Sequence, residues 1–229
     1  MTVFRLRTAR IGAAPLLAVA LLTLCGSGGV LANTSTHALA GSTLKSLGLS
    51  TQDVRSAYGP GGKLAAGMTV TNAMEKGTNT ATGLTNAQAG LVGRQTGYIA
   101  EYIWTRMPSM KGTKVQYPAG VFAVTSIVTE YRASSYAQNV MTLAPTIKLK
   151  KHPGVTNTLS TLGGVGDKAF LSTQRTVAKN ATTSYAAYVE FVQGRYLVLI
   201  SVNNYETKPS VSTIVGLAKL VAGRVRSGG

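Results

Sequence analysis

The sequence predicts an α+β domain: an antiparallel β-sheet with helices packed against it. Three observations lead to that class. Apolar and polar residues alternate with a period of two over 98–105, 121–131 and 185–192, and a strand apolar on both faces follows at 196–202. Two other stretches carry apolar residues at helical spacing. Read along the chain, the elements run strand, strand, helix, strand, hairpin, helix, an order that gives a mainly antiparallel sheet with helices gathered on one side.

The first 32 residues stand apart from this domain. Arg5, Arg7 and Arg10 precede an apolar run from Ile11 to about Leu24, and small residues follow. A basic start, a short apolar core and small residues make a secretory signal segment. Val30-Leu31-Ala32 favours cleavage after Ala32. Two other readings stay open. Leu22-Thr23-Leu24-Cys25 resembles a bacterial lipobox, with Cys25 as the lipidated residue and the bulky Leu24 as a departure from the pattern. An uncleaved segment ending at Ala32 is long enough to anchor the chain, though glycines dilute it. Residues 33–48 are small and polar and read as a flexible tether, leaving 49–229 as one domain. Cys25 is the only cysteine, so the domain stands without disulfides in an extracytoplasmic compartment, secreted or held at the cell surface.

Ser50 is placed to cap a short helix, with Asp53 three residues on near its positive end. Tyr58-Gly59-Pro60-Gly61-Gly62 ends it. Residues 77–97, rich in Thr, Asn, Ala and Gly, read as a long loop. Tyr98, Ala100, Tyr102 and Trp104 then share one face of a strand, which pairs with 121–131 across a long loop. Ser134 or Ser135 opens a helix carrying Ala137, Val140 and Met141, and Pro145 stops it. Gly163-Gly164-Val165-Gly166-Asp167 is a turn, and Lys168–Leu171 a short strand. Tyr185–Val192 and Tyr196–Val202 form a hairpin around Gln193-Gly194-Arg195. Its second strand is apolar on both faces and belongs in the centre of the sheet. The chain closes with a helix from about Pro209 to Arg226, whose stripe of Ile214, Leu217, Ala218, Val221 and Val225 packs on the sheet.

Charge and motifs exclude more than they assign. Lys and Arg number 23 against 7 Asp and Glu, a net charge of +16 that falls to +13 when the three signal arginines are removed. Such an excess suits anionic partners, namely a cell-envelope polymer or lipid, while export argues against nucleic acid. An unidentified small ligand or protein is the other partner class. Lys148, Lys150 and Lys151 form the densest basic run and are the candidate anion-binding residues. His37 and His152 are the only histidines, and neither has an acid or cysteine at ligand spacing, so no metal site is expected. No cofactor is expected either. Gly61-Gly62-Lys63 is followed by Leu64 where a phosphate loop needs Ser or Thr, and Gly163-Gly164-Val165-Gly166 lacks dinucleotide spacing. Glu101, Glu130 and Glu190 fall inside alternating strands. They read as solvent-facing positions, with a carboxylate pair across neighbouring strands as the catalytic alternative. Tyr98, Tyr102 and Trp104 read as core, with a ligand groove as the alternative.

The segments Val124–Tyr131, Gly164-Val165-Gly166-Asp167-Lys168-Ala169, Tyr188–Val198 and Gly216-Leu217-Ala218 resemble exported bacterial lipoproteins and kinase-sensor domains with a Mog1/PsbP-like α/β sandwich fold. The resemblance covers about residues 120–226, and the Gly-x-Gly-Asp-x-Ala turn before a hairpin is its most specific part. It implies that fold and an extracytoplasmic binding or sensing role, with no shared catalytic residues. The expectation is therefore a non-enzymatic binding or sensing module. A basic adaptor for wall polymer or lipid and a secreted hydrolase are the alternatives.

Overall fold

A computed structural model describes residues 41–72, 93–104, 121–143, 154–177, 183–205 and 207–228. The signal segment with Cys25 and Ala32, both histidines, and Lys148, Lys150 and Lys151 lie outside these residues. The described elements are α1 (Gly41–Leu47), α2 (Thr51–Tyr58), β1 (Gly62–Thr71), β2 (Arg94–Trp104), β3 (Val121–Tyr131), α3 (Ser134–Leu143), β4 (Val155–Thr161), β5 (Lys168–Val177), β6 (Thr183–Gln193), β7 (Tyr196–Tyr205) and α4 (Val211–Gly228). All seven strands form a single antiparallel sheet in the order β1-β2-β3-β7-β6-β5-β4. The α+β class is the one the sequence predicts.

β7 occupies the middle of the sheet, as its two-sided apolar pattern requires. Tyr196, Val198, Ile200 and Val202 enter the larger core, while Leu197 enters a second core on the opposite face. Helix α4 covers the first face with the expected stripe of Ile214, Leu217, Ala218, Val221 and Val225, all buried, together with Ala222. Its cap is Ser210, whose hydroxyl accepts from the Thr213 amide at 3.2 Å, so Pro209 precedes the helix instead of occupying its first turn. Helix α2 has the predicted capping box: the Asp53 amide donates to the Ser50 hydroxyl, and the Asp53 carboxylate accepts from the Ser50 amide.

Several expectations are corrected. Residues 41–47 of the expected tether are helix α1, because Leu44 and Leu47, three apart, are buried in the main core. Strands β1 and β4 at the two edges are additions to the expected order; β4 carries too few apolar residues to announce itself, and β1 follows directly on a glycine-rich turn. Helices also lie on both faces, since Ala137, Val140 and Met141 of α3 pack on Phe170, Val192 and Leu197, opposite α4. Extending the sheet with edge strands also lengthens the neighbouring elements. The loop expected over 77–97 gives way to strand from Arg94, and the short strand at Lys168 runs on to Val177.

The glycine-rich turn has a structural task. The Asp167 amide donates to the Val192 carbonyl at 2.7 Å, and the Asp167 carboxylate accepts from the Gly194 amide at 2.7 Å and Gln193 Nε2 at 3.0 Å. The turn is thereby latched to the β6–β7 hairpin. Gly166 and Gly194 both have positive φ, at 57° and 56°. They differ in surroundings: a Cβ on Gly166 would lie 2.4 Å from the Val192 carbonyl oxygen, whereas a Cβ on Gly194 meets nothing within 4 Å. Gly194→Ala should therefore cost only the left-handed penalty of about 1 kcal/mol, and Gly166→Ala about 3 kcal/mol because the latch must open as well. Urea denaturation of the two variants measures the difference, and equal losses would show that the latch contributes nothing.

Candidate functional site

A cleft of about 640 Å³ opens where the α1–α2 connector passes over the β1–β2 edge of the sheet. Its lining includes Lys45 and Ser46 of α1, Leu49 of the connector, Leu64 of β1, and Tyr98 and Tyr102 of β2. The connector is pinned at three points. The Leu49 amide donates to Ser126 Oγ at 3.3 Å, the Tyr102 hydroxyl donates to the Leu49 carbonyl, and Arg224 Nη1 donates to the Gly48 carbonyl at 2.8 Å. Arg224 is in turn held by Asp53 in a two-pronged ion pair with contacts of 2.7 and 2.8 Å. A guanidinium suits this geometry because its planar fork matches a carboxylate. Burial alone would raise the Asp53 carboxyl, but Arg224 and the Ser50 amide and hydroxyl together hold it below its ordinary 3.8.

Tyr98 and Tyr102 of the aromatic stripe form the floor of the cleft. Tyr98, Tyr102 and Trp104 are all buried on the α4 side of the sheet, which is the core reading, and Trp104 meets Tyr58 edge-on with ring centroids 6.3 Å apart. Tyr98 and Tyr102 also line the cleft, which is the groove reading. These two side chains therefore border both the core and the cleft. Burial, with the neighbouring Tyr98 adding to it, pushes Tyr102 up to about 12, so its hydroxyl stays a donor at neutral pH. Tyr98 is only 8% exposed, and its hydroxyl has no hydrogen-bond partner among the described residues. Gly67 on β1 makes room for that hydroxyl: a Cβ there would lie 2.7 Å from it.

Leu64 reaches the cleft through a backbone irregularity. Leu64 pairs with Tyr102 and Ala66 with Glu101, so Ala65 is an extra residue that reverses which face later side chains take. Met68 and Val70 consequently pair with Ile99 and Gly97 and face the other way, while Leu64, 44% exposed, stays on the cleft side. The period-two spacing of Leu64, Ala66, Met68 and Val70 is a strand signal available in the sequence, but it places all four on one face. Lys45 was hidden by the tether reading, and Arg224 by its place on the polar part of α4.

The carboxylates behave differently from the expectation that they face solvent. Glu130 is fully buried on the α4 side and bonds Arg195 at 2.9 Å. Glu101 and Glu190 are partly buried on the opposite face, on β2 and β6. Three strand spacings separate those strands, roughly 14 Å, which is beyond the reach of a cooperating carboxylate pair at about 5–9.5 Å. The arrangement a hydrolase would need is not formed by these three residues. Glu190 stands between Phe170 and Leu199, its registered neighbours, with Oε1 enclosed and unbonded among the described residues. Burial pushes this carboxyl up from its ordinary 4.5 to about 7.

These two acids give opposite pH dependences. The folded protein holds the Glu190 proton more tightly than the unfolded chain does, so stability falls as pH rises from about 4.5 to about 7. Glu190→Gln should remove that loss, gaining at most about 3 kcal/mol at pH 8 and converging on the parent near pH 4. Asp53 acts in the other sense: its contribution is present at neutral pH and fades as pH drops through its lowered value. Asp53→Asn should cost about 1–3 kcal/mol at pH 7 and progressively less in strong acid. Denaturation midpoints across this range test both, and a pH-independent gain for Glu190→Gln would contradict the burial account.

No family model matches the chain, and no curated protein matches it. Among solved structures, the extracellular domain of PknH from Mycobacterium tuberculosis is similar, with a TM-score of 0.56 at 10% sequence identity over 82% of this chain and 97% of that domain. At that identity the likeness is one of fold. No helix among the described residues is long and apolar enough to cross a membrane. The seven-stranded sheet with its helices is thus a fold shared with that extracellular domain.

Proposed function

We propose that this chain is an extracytoplasmic, non-catalytic binding and sensing module whose ligand occupies the cleft over Tyr98 and Tyr102. The observation that carries this reading is the cleft itself. It is a concavity floored by the rings of Tyr98 and Tyr102, with the Tyr98 hydroxyl uncommitted among the described residues and a connector fixed by hydrogen bonds from three separate elements. The shared fold with an extracellular domain and the basic-then-apolar start of the sequence support the location. Residues 1–32 direct export in this account, with release after Ala32, lipidation at Cys25 or retention as an uncleaved anchor as its three endings.

A second reading, a basic adaptor for anionic envelope polymer or lipid, draws on the way the described acids are used. Asp53 and Glu130 are each tied to an arginine, and Glu190 is buried beside apolar neighbours, so the surface is more one-sidedly positive than composition alone indicates. That accounts for attraction to an anionic surface, while the cleft accounts for selection of a particular ligand.

Native mass spectrometry of the protein purified from its own envelope tests the module reading. The expected result is a mass above that of the chain which denaturation removes and which Ser46→Phe, placed to fill the cleft, abolishes. A bare chain in the parent and the variant alike would overturn it.

A further inference from the structure

We infer that the cleft takes an amphiphile with one acidic head group, a carboxylate or a phosphate monoester, on an apolar body. The inference rests on the reading of the cleft as the ligand site. Its first support is the distribution of charge. Lys45 sits at the rim with no ion-pair partner among the described residues, whereas the charge of Arg224 is satisfied by Asp53. No Asp or Glu belongs to the lining among the described residues. The cleft therefore presents one uncompensated positive charge, which suits a single anionic group better than a cation or a polyanion.

The second support is Tyr98. Its side chain is more than nine-tenths buried, lines the cleft and carries a hydroxyl without a partner among the described residues. That hydroxyl is reachable from the cleft, and a charged acceptor there bonds it more strongly than water does. Tyr102, the other hydroxyl on the floor, is already committed to the Leu49 carbonyl, so Tyr98 supplies the donor. The third support is Leu64. The bulge at Ala65 turns this half-exposed side chain toward the cleft, where Leu49 and the two tyrosine rings extend an apolar surface for the remainder of the ligand. A volume of about 640 Å³ accommodates a short alkyl chain with its head.

The experiment is a calorimetric titration of the protein with four ten-carbon probes below their micellar concentrations: decanoate, decyl phosphate, decanol and decyltrimethylammonium. Expected is one-to-one binding of decanoate or decyl phosphate, the tighter of the two identifying the head group, with decanol weaker and the cation absent. Lys45→Met should weaken the acidic probe about tenfold, and Tyr98→Phe by a similar factor through loss of a charge-assisted hydrogen bond. Thermal midpoints of both variants confirm that they fold. Equal binding of decanol or the cation, or indifference to both substitutions, overturns the head-group assignment. If no probe binds while the native mass carries a ligand that Ser46→Phe removes, the ligand class is wrong and the site stands. If neither is seen, both fall.

Discussion

The strand β7 sets the terms for the whole molecule. From Tyr196 to Val202 it offers apolar side chains to both faces, so it is stable only when flanked by strands on each side and covered above and below. Antiparallel partners β3 and β6 satisfy its edges. On one face the stripe of α4 closes the larger core, with α1 and α2 extending it toward β1 and β2. On the other, α3 closes a smaller core over Phe170, Val192 and Leu197. The smaller cover leaves a longer stretch of that second face dressed in polar and half-buried side chains, among them Glu190, whose raised carboxyl reflects the apolar neighbours on either side.

The cleft is a consequence of how the first face is finished. Helix α4 covers the centre of the sheet but not its β1 edge, and the short helices α1 and α2 complete the cover there. The connector between the two short helices buries Leu49 in the larger core, and polar ties fix the backbone on either side of it. Ser126, Tyr102 and Arg224 provide them, and the Asp53–Arg224 pair joins the start of α2 to the end of α4. What remains between the connector and the edge strand is a concavity with an aromatic floor and a lysine at its rim. Its chemistry comes from side chains whose first duty is structural, which is why a binding role and a core role coexist in Tyr98 and Tyr102.

The motifs that suggested a family serve the fold. Asp167 latches the glycine-rich turn to the Gln193–Gly194 hairpin, and Gly166 is required by contact with the Val192 carbonyl. These residues say that the β5–β6–β7 unit is built in a particular way and nothing about a ligand. Similarity to the extracellular domain of PknH at 10% identity has the same content: a shared arrangement of elements that leaves the surface free to differ.

The sequence by itself determined the elements whose signals are local. The alternation of β2, β3 and β6, the doubly apolar β7, the stripe of α4 and the Ser50–Asp53 box could all be read because each depends on neighbours within a few residues. Only the tertiary structure decided the rest. The edge strands β1 and β4 take their conformation from pairing with β2 and β5, α1 from the core that receives Leu44 and Leu47, and the aim of Leu64 from one extra residue in the ladder. The carboxylates illustrate the same division: alternation places Glu101, Glu130 and Glu190 on strands, but their separation and burial depend on strand order. The cleft unites residues 45, 64, 98 and 224, and contacts at that sequence distance arise from long-range pairing and packing, which no local pattern encodes.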